Sequence, residues 1–158
     1  MNVIKEILLV SLILCLTATA PSVSLQCRPI KESVCKDIGI KEMRVPNFLN
    51  HNNVTEIYKE LREWQPLISS GCHEGLTKFL CSLYTPVCLK EAEIKPCKSL
   101  CEDVKKNCEP LMNIRNYLWP KQFQCNKYEE NSMCIRHGKQ TTWLSLDYTL
   151  FYKNQFII

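Results

Sequence analysis

Between Val54 and Ile68, apolar residues return every third or fourth position: Val54, Ile57, Tyr58, Leu61, Trp64 and Ile68. This spacing predicts an amphipathic helix, with Asn53 or Thr55 available to cap its start. Pro66 lies inside the pattern, so the helix is expected to end or kink near Trp64. Ser69-Ser70-Gly71 then breaks the chain. A second periodic stretch, Glu74 to Leu83, places Leu76, Phe79, Leu80 and Leu83 on one face. A third runs from Cys97 to Leu111, where Cys97, Cys101, Val104, Cys108 and Leu111 form a continuous stripe. Lys98, Glu102, Asp103, Lys105, Lys106 and Glu109 occupy the other faces and suit water. Pro96 fits the first turn of this helix, and Pro110 is expected to distort or terminate it. Leu111 to Trp119 carries a further apolar set, which Pro120 stops.

The remaining segments show weaker rhythms. Cys27 to Asn53 reads as irregular or extended, interrupted by Pro29, Gly39 and Pro46. Gln122 to Cys134 reads as a polar loop or short extended piece. In the tail, Leu144, Leu146, Tyr148, Leu150 and Tyr152 alternate with polar residues, a strand rhythm. Asp147 and Lys153 make that tail too polar for a membrane span. Ile7 to Leu16 is almost wholly apolar, follows Lys5 and precedes Ala18-Thr19-Ala20. That is the layout of a secretory signal peptide. The expected organisation is a signal peptide over 1–20, one compact domain over 21–136, and a tail over 137–158 without an assigned domain.

Composition sharpens this picture at the cysteines. The chain has 158 residues, one domain's worth, and 11 cysteines. Loss of Cys15 with the leader leaves an even set of ten, which suits a disulfide-built secreted domain better than a cytosolic one. Zinc is a weaker reading of Cys97, Cys101 and His73, because no repeated Cys-x-x-Cys pair occurs. A catalytic thiol served by His51, His73 or His137 would need an odd cysteine. The net charge of +4 is small and interleaved with acids, which argues against nucleic acid as a partner. Cys97 and Cys101 share one helix face, so each must reach outside the helix for its partner. Which partners they take is left open by spacing, since ten cysteines allow about 945 pairings. No nucleophile–base pair has a recognisable setting, and no enzyme activity, cofactor or metal is expected.

The cysteine spacing, Cys27-x7-Cys35, Cys72-x8-Cys81-x6-Cys88, Cys97-x3-Cys101-x6-Cys108, then Cys125 and Cys134, resembles the cysteine-rich domain of Frizzled receptors and secreted Frizzled-related proteins. The segments Val45-Pro46-Asn47, Phe79 to Cys88, Pro96 to Cys101, Cys108 to Met112 and Trp119-Pro120 are similar too. The resemblance implies a mainly α, compact disulfide-rich fold with about four helices, a small β-element and five disulfides. It implies the pairs Cys27–Cys88, Cys35–Cys81, Cys72–Cys108, Cys97–Cys134 and Cys101–Cys125.

The resemblance also implies a function: extracellular binding of acylated Wnt proteins. Carried over by position, an apolar groove for the acyl chain falls on Trp64, Pro66, Ser70, Leu111, Met112 and Tyr117. A second protein-binding patch falls on Leu83 and Tyr84. Trp64 stands where the family commonly has Phe, and Ser70-Gly71 where it often has apolar residues, which implies altered groove ends. With no membrane span after the leader, a soluble Wnt modulator or decoy is expected. The alternatives are the ectodomain fragment of a Frizzled receptor, or a module for free fatty acid or sterol. A homodimer is compatible with each. Asn53-Val54-Thr55 is a glycosylation sequon at an exposed helix start, consistent with a secreted glycoprotein.

Overall fold

The computed structural model describes residues 24–138, apart from Glu32 and Asp37. The leader expected over 1–20 and the strand rhythm of Leu144 to Tyr152 lie outside the described residues. The described chain runs β1 (Gln26–Pro29), α1 (Ser33–Lys36), β2 (Glu42–Val45), α2 (Val54–Glu63), α3 (Gln65–Ser69), α4 (Leu76–Tyr84) and α5 (Lys98–Ile114). Two 3-10 turns follow, at Lys121–Phe123 and Cys125–Lys127. Among the described residues, no helix is long and apolar enough to cross a membrane.

The β-element is an antiparallel pair in which Cys27 faces Arg44 and Arg28 faces Met43. Met43 and Val45 are buried while Glu42 is exposed, the alternation of a strand with one face on the core. Residues beyond α4 extend the sheet from the other side of β2, through an isolated bridge between Met43 and Val87. β1 is therefore an edge, and all four of its residues are exposed.

Asn53, rather than Thr55, caps α2: its side chain accepts the Thr55 N–H at 2.8 Å. The break expected at Pro66 falls at Trp64, which ends α2 and starts α3. Pro66 has no N–H to continue the ladder and is tolerated in the first turn of the new helix. α4 is buried at Leu76 and at every position from Phe79 to Tyr84, as a helix at the centre of a core must be. It packs against α1, α2 and α5.

Two expectations about α5 change. Cys97 is its N-cap rather than part of its stripe, and the buried positions are Leu100, Cys101, Val104, Cys108 and Met112. At roughly 100° per residue, Met112 lies about 20° from Cys101 around the helix and Leu111 about 80°. Leu111 is accordingly only half-buried. Pro110 does not stop the helix, which runs on to Ile114. Pro110 and Lys106 are both exposed, so the Lys106 carbonyl that loses its partner faces water. The end comes instead at Asn116, with φ 59°. The Asn116 N–H donates to the Asn113 carbonyl at 3.0 Å and the Tyr117 N–H to the Met112 carbonyl at 3.0 Å. This is a Schellman cap with Asn in the left-handed position.

The disulfides are Cys27–Cys88, Cys35–Cys81, Cys72–Cys108, Cys97–Cys134 and Cys101–Cys125. α5 and its cap thus hold three separate segments covalently, while α4 is the centre of non-covalent packing. Phe123, in the stretch expected to be a polar loop, is fully buried. Its ring meets Trp64 at 5.2 Å, Phe79 at 5.6 Å, Trp119 at 6.0 Å and Tyr84 at 6.2 Å. The Trp119 indole N–H donates to the Phe123 carbonyl at 2.9 Å, fixing this turn onto the core.

Candidate functional site

The residues expected to form a ligand groove come from two places, the α2–α3 break and the C-terminal end of α5. Cys72 follows α3 by three residues and is bonded to Cys108, one helical turn before Leu111 and Met112. The disulfide therefore holds these two pieces beside one another. Pro66 and Ser70 are exposed on the α3 side. The Ser70 hydroxyl donates to the Leu67 carbonyl at 2.6 Å, so it is engaged in closing the helix end.

Trp64 is half-buried and has a structural role as well as an exposed part. One face of its ring packs on Phe123, and its indole N–H donates to the Tyr84 hydroxyl at 3.0 Å. The Tyr84 hydroxyl in turn donates to Glu60 Oε2 at 3.3 Å. Burial, countered by the Trp64 N–H and reinforced by Glu60 and Glu63, holds the Tyr84 phenol well above its ordinary range.

A second chain of bonds reaches Glu60 from the other side. Asn47 Oδ1 accepts the N–H groups of Leu49 and His51, both at 3.0 Å, so its Nδ2 is the atom facing His51 Nδ1 at 3.2 Å. Nδ1 then accepts, and Nε2 carries the proton that points to Glu60 Oε1 at 3.3 Å. His51, Glu60 and Tyr84 thus form an orienting network beneath Trp64. Glu60 and His51 also lie near Glu56, and both are engaged in this hydrogen-bonded network.

Leu83 and Tyr84 do not form a surface patch. They are 1 % and 2 % exposed, on a helix that packs against α1, α2 and α5. The cysteines considered as metal ligands, Cys97 and Cys101, are disulfide sulfurs rather than thiolates.

On the α5 side the expected residues divide. Met112 is buried yet stands outside the main hydrophobic cluster, and Leu111 is half-buried. Tyr117 is 67 % exposed, and beside it in the chain are Ile114 at 78 % and Leu118 at 82 %. Ile114 and Leu118 were not expected at the site. The apolar run from Leu111 to Trp119 contains them, but Ile114 lies on the outer face of α5, about 140° round from Cys101, and Leu118 follows the cap at Asn116. Three large apolar side chains thus stand in water within five residues.

A family model described as the Fz domain matches residues 27–132. Secreted frizzled-related protein 1 of Mus musculus is 40% identical over 107 residues, 68% of this chain and 34% of that protein. Secreted frizzled-related protein 2 of Gallus gallus is 40% identical over 114 residues, 69% and 39% of the two chains. Secreted frizzled-related protein 5 of Homo sapiens is 41% identical over 108 residues, 68% and 34%. The chain thus spans little more than a third of the length of these relatives. Among solved structures, the Smoothened CRD (selenomethionine-labeled) aligns with a TM-score of 0.52 and 19% identity, covering 67% of this chain and 94% of that one. This last likeness is one of fold.

Proposed function

This chain belongs to the Fz domain family, and on that premise we propose that it is an extracellular module that binds acylated Wnt proteins and modulates their signalling as a soluble decoy. The observation that carries the proposal is the uncovered apolar end of α5. Ile114, Tyr117 and Leu118 stand in water, close in the chain to Leu111 and Met112, and the Cys72–Cys108 bond ties the same helix to the segment after α3. A surface of this kind suits an acyl chain: each buried methylene contributes about 0.8 kcal/mol, with little need for polar groups. Pairing of all ten described cysteines suits an oxidising compartment. The relatives are named as secreted proteins, in line with a leader over 1–20, the domain over 21–136 and a tail over 137–158.

The test is surface-plasmon measurement of an acylated Wnt on the wild type and on Leu118→Asp, with enzymatically deacylated Wnt alongside. Loss of one buried leucine contact is worth about 1.5–3 kcal/mol, roughly a 10- to 100-fold weaker complex. Equal affinity of the two proteins, or of the two ligands, would sink the acyl-site reading. Binding of free fatty acid without any complex with Wnt would point to the lipid-carrying alternative. Trp64→Asp is a poorer probe, because Trp64 also packs on Phe123.

A further inference from the structure

At the other end of α2 from Trp64, an open cleft of about 550 Å3 lies between β1 and the helix start. α2 has 10 residues, which puts the cleft about 15 Å from Trp64 along the helix. Arg28, Pro29 and Lys31 line it from the β1 side, Asn53 and Val54 from the helix side, with Val45 between them. The two sides are tied together, since the Lys31 N–H donates to the Tyr58 hydroxyl at 2.9 Å. The acyl site leaves this cleft without a role.

Its rim carries Asn53, the first residue of Asn53-Val54-Thr55, and the two ends of that side chain are used differently. Oδ1 accepts the Thr55 N–H at 2.8 Å and so caps α2. Nδ2 has no hydrogen-bond partner among the described residues. Asn53 itself is exposed. A substituent on Nδ2 would leave the cap intact and would emerge on the rim of the cleft.

We propose that Asn53 carries an N-linked glycan whose first sugars seat in this cleft. The bond formed joins Nδ2 to the anomeric carbon of the first N-acetylglucosamine. The bond broken joins that carbon to the diphosphate of a lipid-linked oligosaccharide donor. The diphosphate leaves with the bonding electrons, and Nδ2 gives up one proton. The apolar faces of the sugars meet Pro29 and Val54, and their hydroxyls accept from Lys31 and Arg28. Arg28 gives one N–H to Gln26 at 2.7 Å and keeps others for this purpose. The glycan then covers β1, an exposed edge strand that would otherwise present unpaired backbone groups. It leaves the far end of α2 open for the ligand.

The inference rests on the secretory reading, because the donor meets only chains that enter that route. The full chain is expressed in cultured animal cells and its intact mass is read before and after peptide-N-glycanase. Asn53→Asp, which retains a good cap, and Thr55→Val, which retains Asn53, serve as variants. The wild type in the medium should lose the mass of one glycan, and both variants should lack it. Acetylation by an N-hydroxysuccinimide ester should modify Lys31 several-fold more slowly in the glycosylated wild type than in Thr55→Val, with Lys59 unchanged. A secreted wild type without a glycan overturns the inference and leaves the secretory reading standing. A chain retained in the cytosol overturns both, and equal Lys31 rates overturn the seating in the cleft.

Discussion

The two ends of α5 have opposite fates. In its first three turns Leu100, Cys101, Val104 and Cys108 are wholly buried, and disulfides carry the helix to three other segments. Past Cys108 the buried stripe ends at Met112, and nothing among the described residues covers Ile114, about 140° round the helix from Cys101, or Leu118, beyond the turn at Asn116. A periodic pattern states which face of a helix is buried; it does not state the fate of apolar residues that stand off that face. The cross-linked end supplies rigidity, and a rigid mount is what allows the other end to keep large apolar groups in water without collapsing onto the core. Substitutions on the first side should therefore cost stability, and those on the second should cost binding.

The largest effect is expected at the junction of the aromatic cluster. Phe123→Ala removes a ring shared by four aromatic partners and should destabilise by about 3–5 kcal/mol in urea unfolding. A loss below about 1 kcal/mol would show that the disulfides, not this cluster, define the scaffold. Next, the Cys72→Ser, Cys108→Ser double variant should lose about 2–4 kcal/mol. On the proposed function its more telling effect would be on Wnt affinity, because this bond joins the segment after α3 to α5. Retained affinity would mean that α3 is not part of the site.

How much of this was legible depended on the kind of signal. Periodicity located α2, α4 and α5, and Pro66 located the break at Trp64, because both act through local backbone geometry. Pro110 misled as a terminator because its effect depends on whether the freed carbonyl is hydrated, which spacing does not encode. Phe123 stands isolated between two glutamines in a polar stretch and carries no periodic signal. Its burial depends on 3-10 turns and disulfides that have no repeating pattern. Leu83 and Tyr84 were assigned to a surface patch through the family resemblance. Their burial follows from α4 lying against three other helices, a fact of tertiary packing. The disulfide pairs likewise came with the resemblance, since the spacing of ten cysteines leaves the choice open.

The scaffold side should also reveal itself at alkaline pH. Burial pushes the Tyr128 phenol up to about 12 and holds Tyr84 well above its ordinary range. Both native values lie above that of an unfolded tyrosine, about 10. The stability they contribute is therefore fully present below pH ~10 and is lost as the pH rises through the native values. Absorbance at 295 nm should show these two tyrosines ionising late and together with unfolding. Their ionisation in a protein that stays folded would mean that water reaches this side of the core.

The smallest change in stability, and the sharpest division between the two ends, is expected for Ile114→Ser with Leu118→Ser. Both side chains are largely in water already, so their removal should shift the unfolding free energy by no more than about 0.5 kcal/mol. Any shift toward greater stability or solubility would fit the same account, since the folded protein would lose only exposed apolar surface. Affinity for acylated Wnt should nevertheless fall, because the acyl chain would meet hydroxyls where it needs hydrocarbon. A protein that unfolds under this change would show that the end of α5 belongs to the scaffold after all. A protein that is stable and binds unchanged would place the ligand elsewhere. Only unchanged or raised stability combined with lost affinity supports one helix performing two separate tasks.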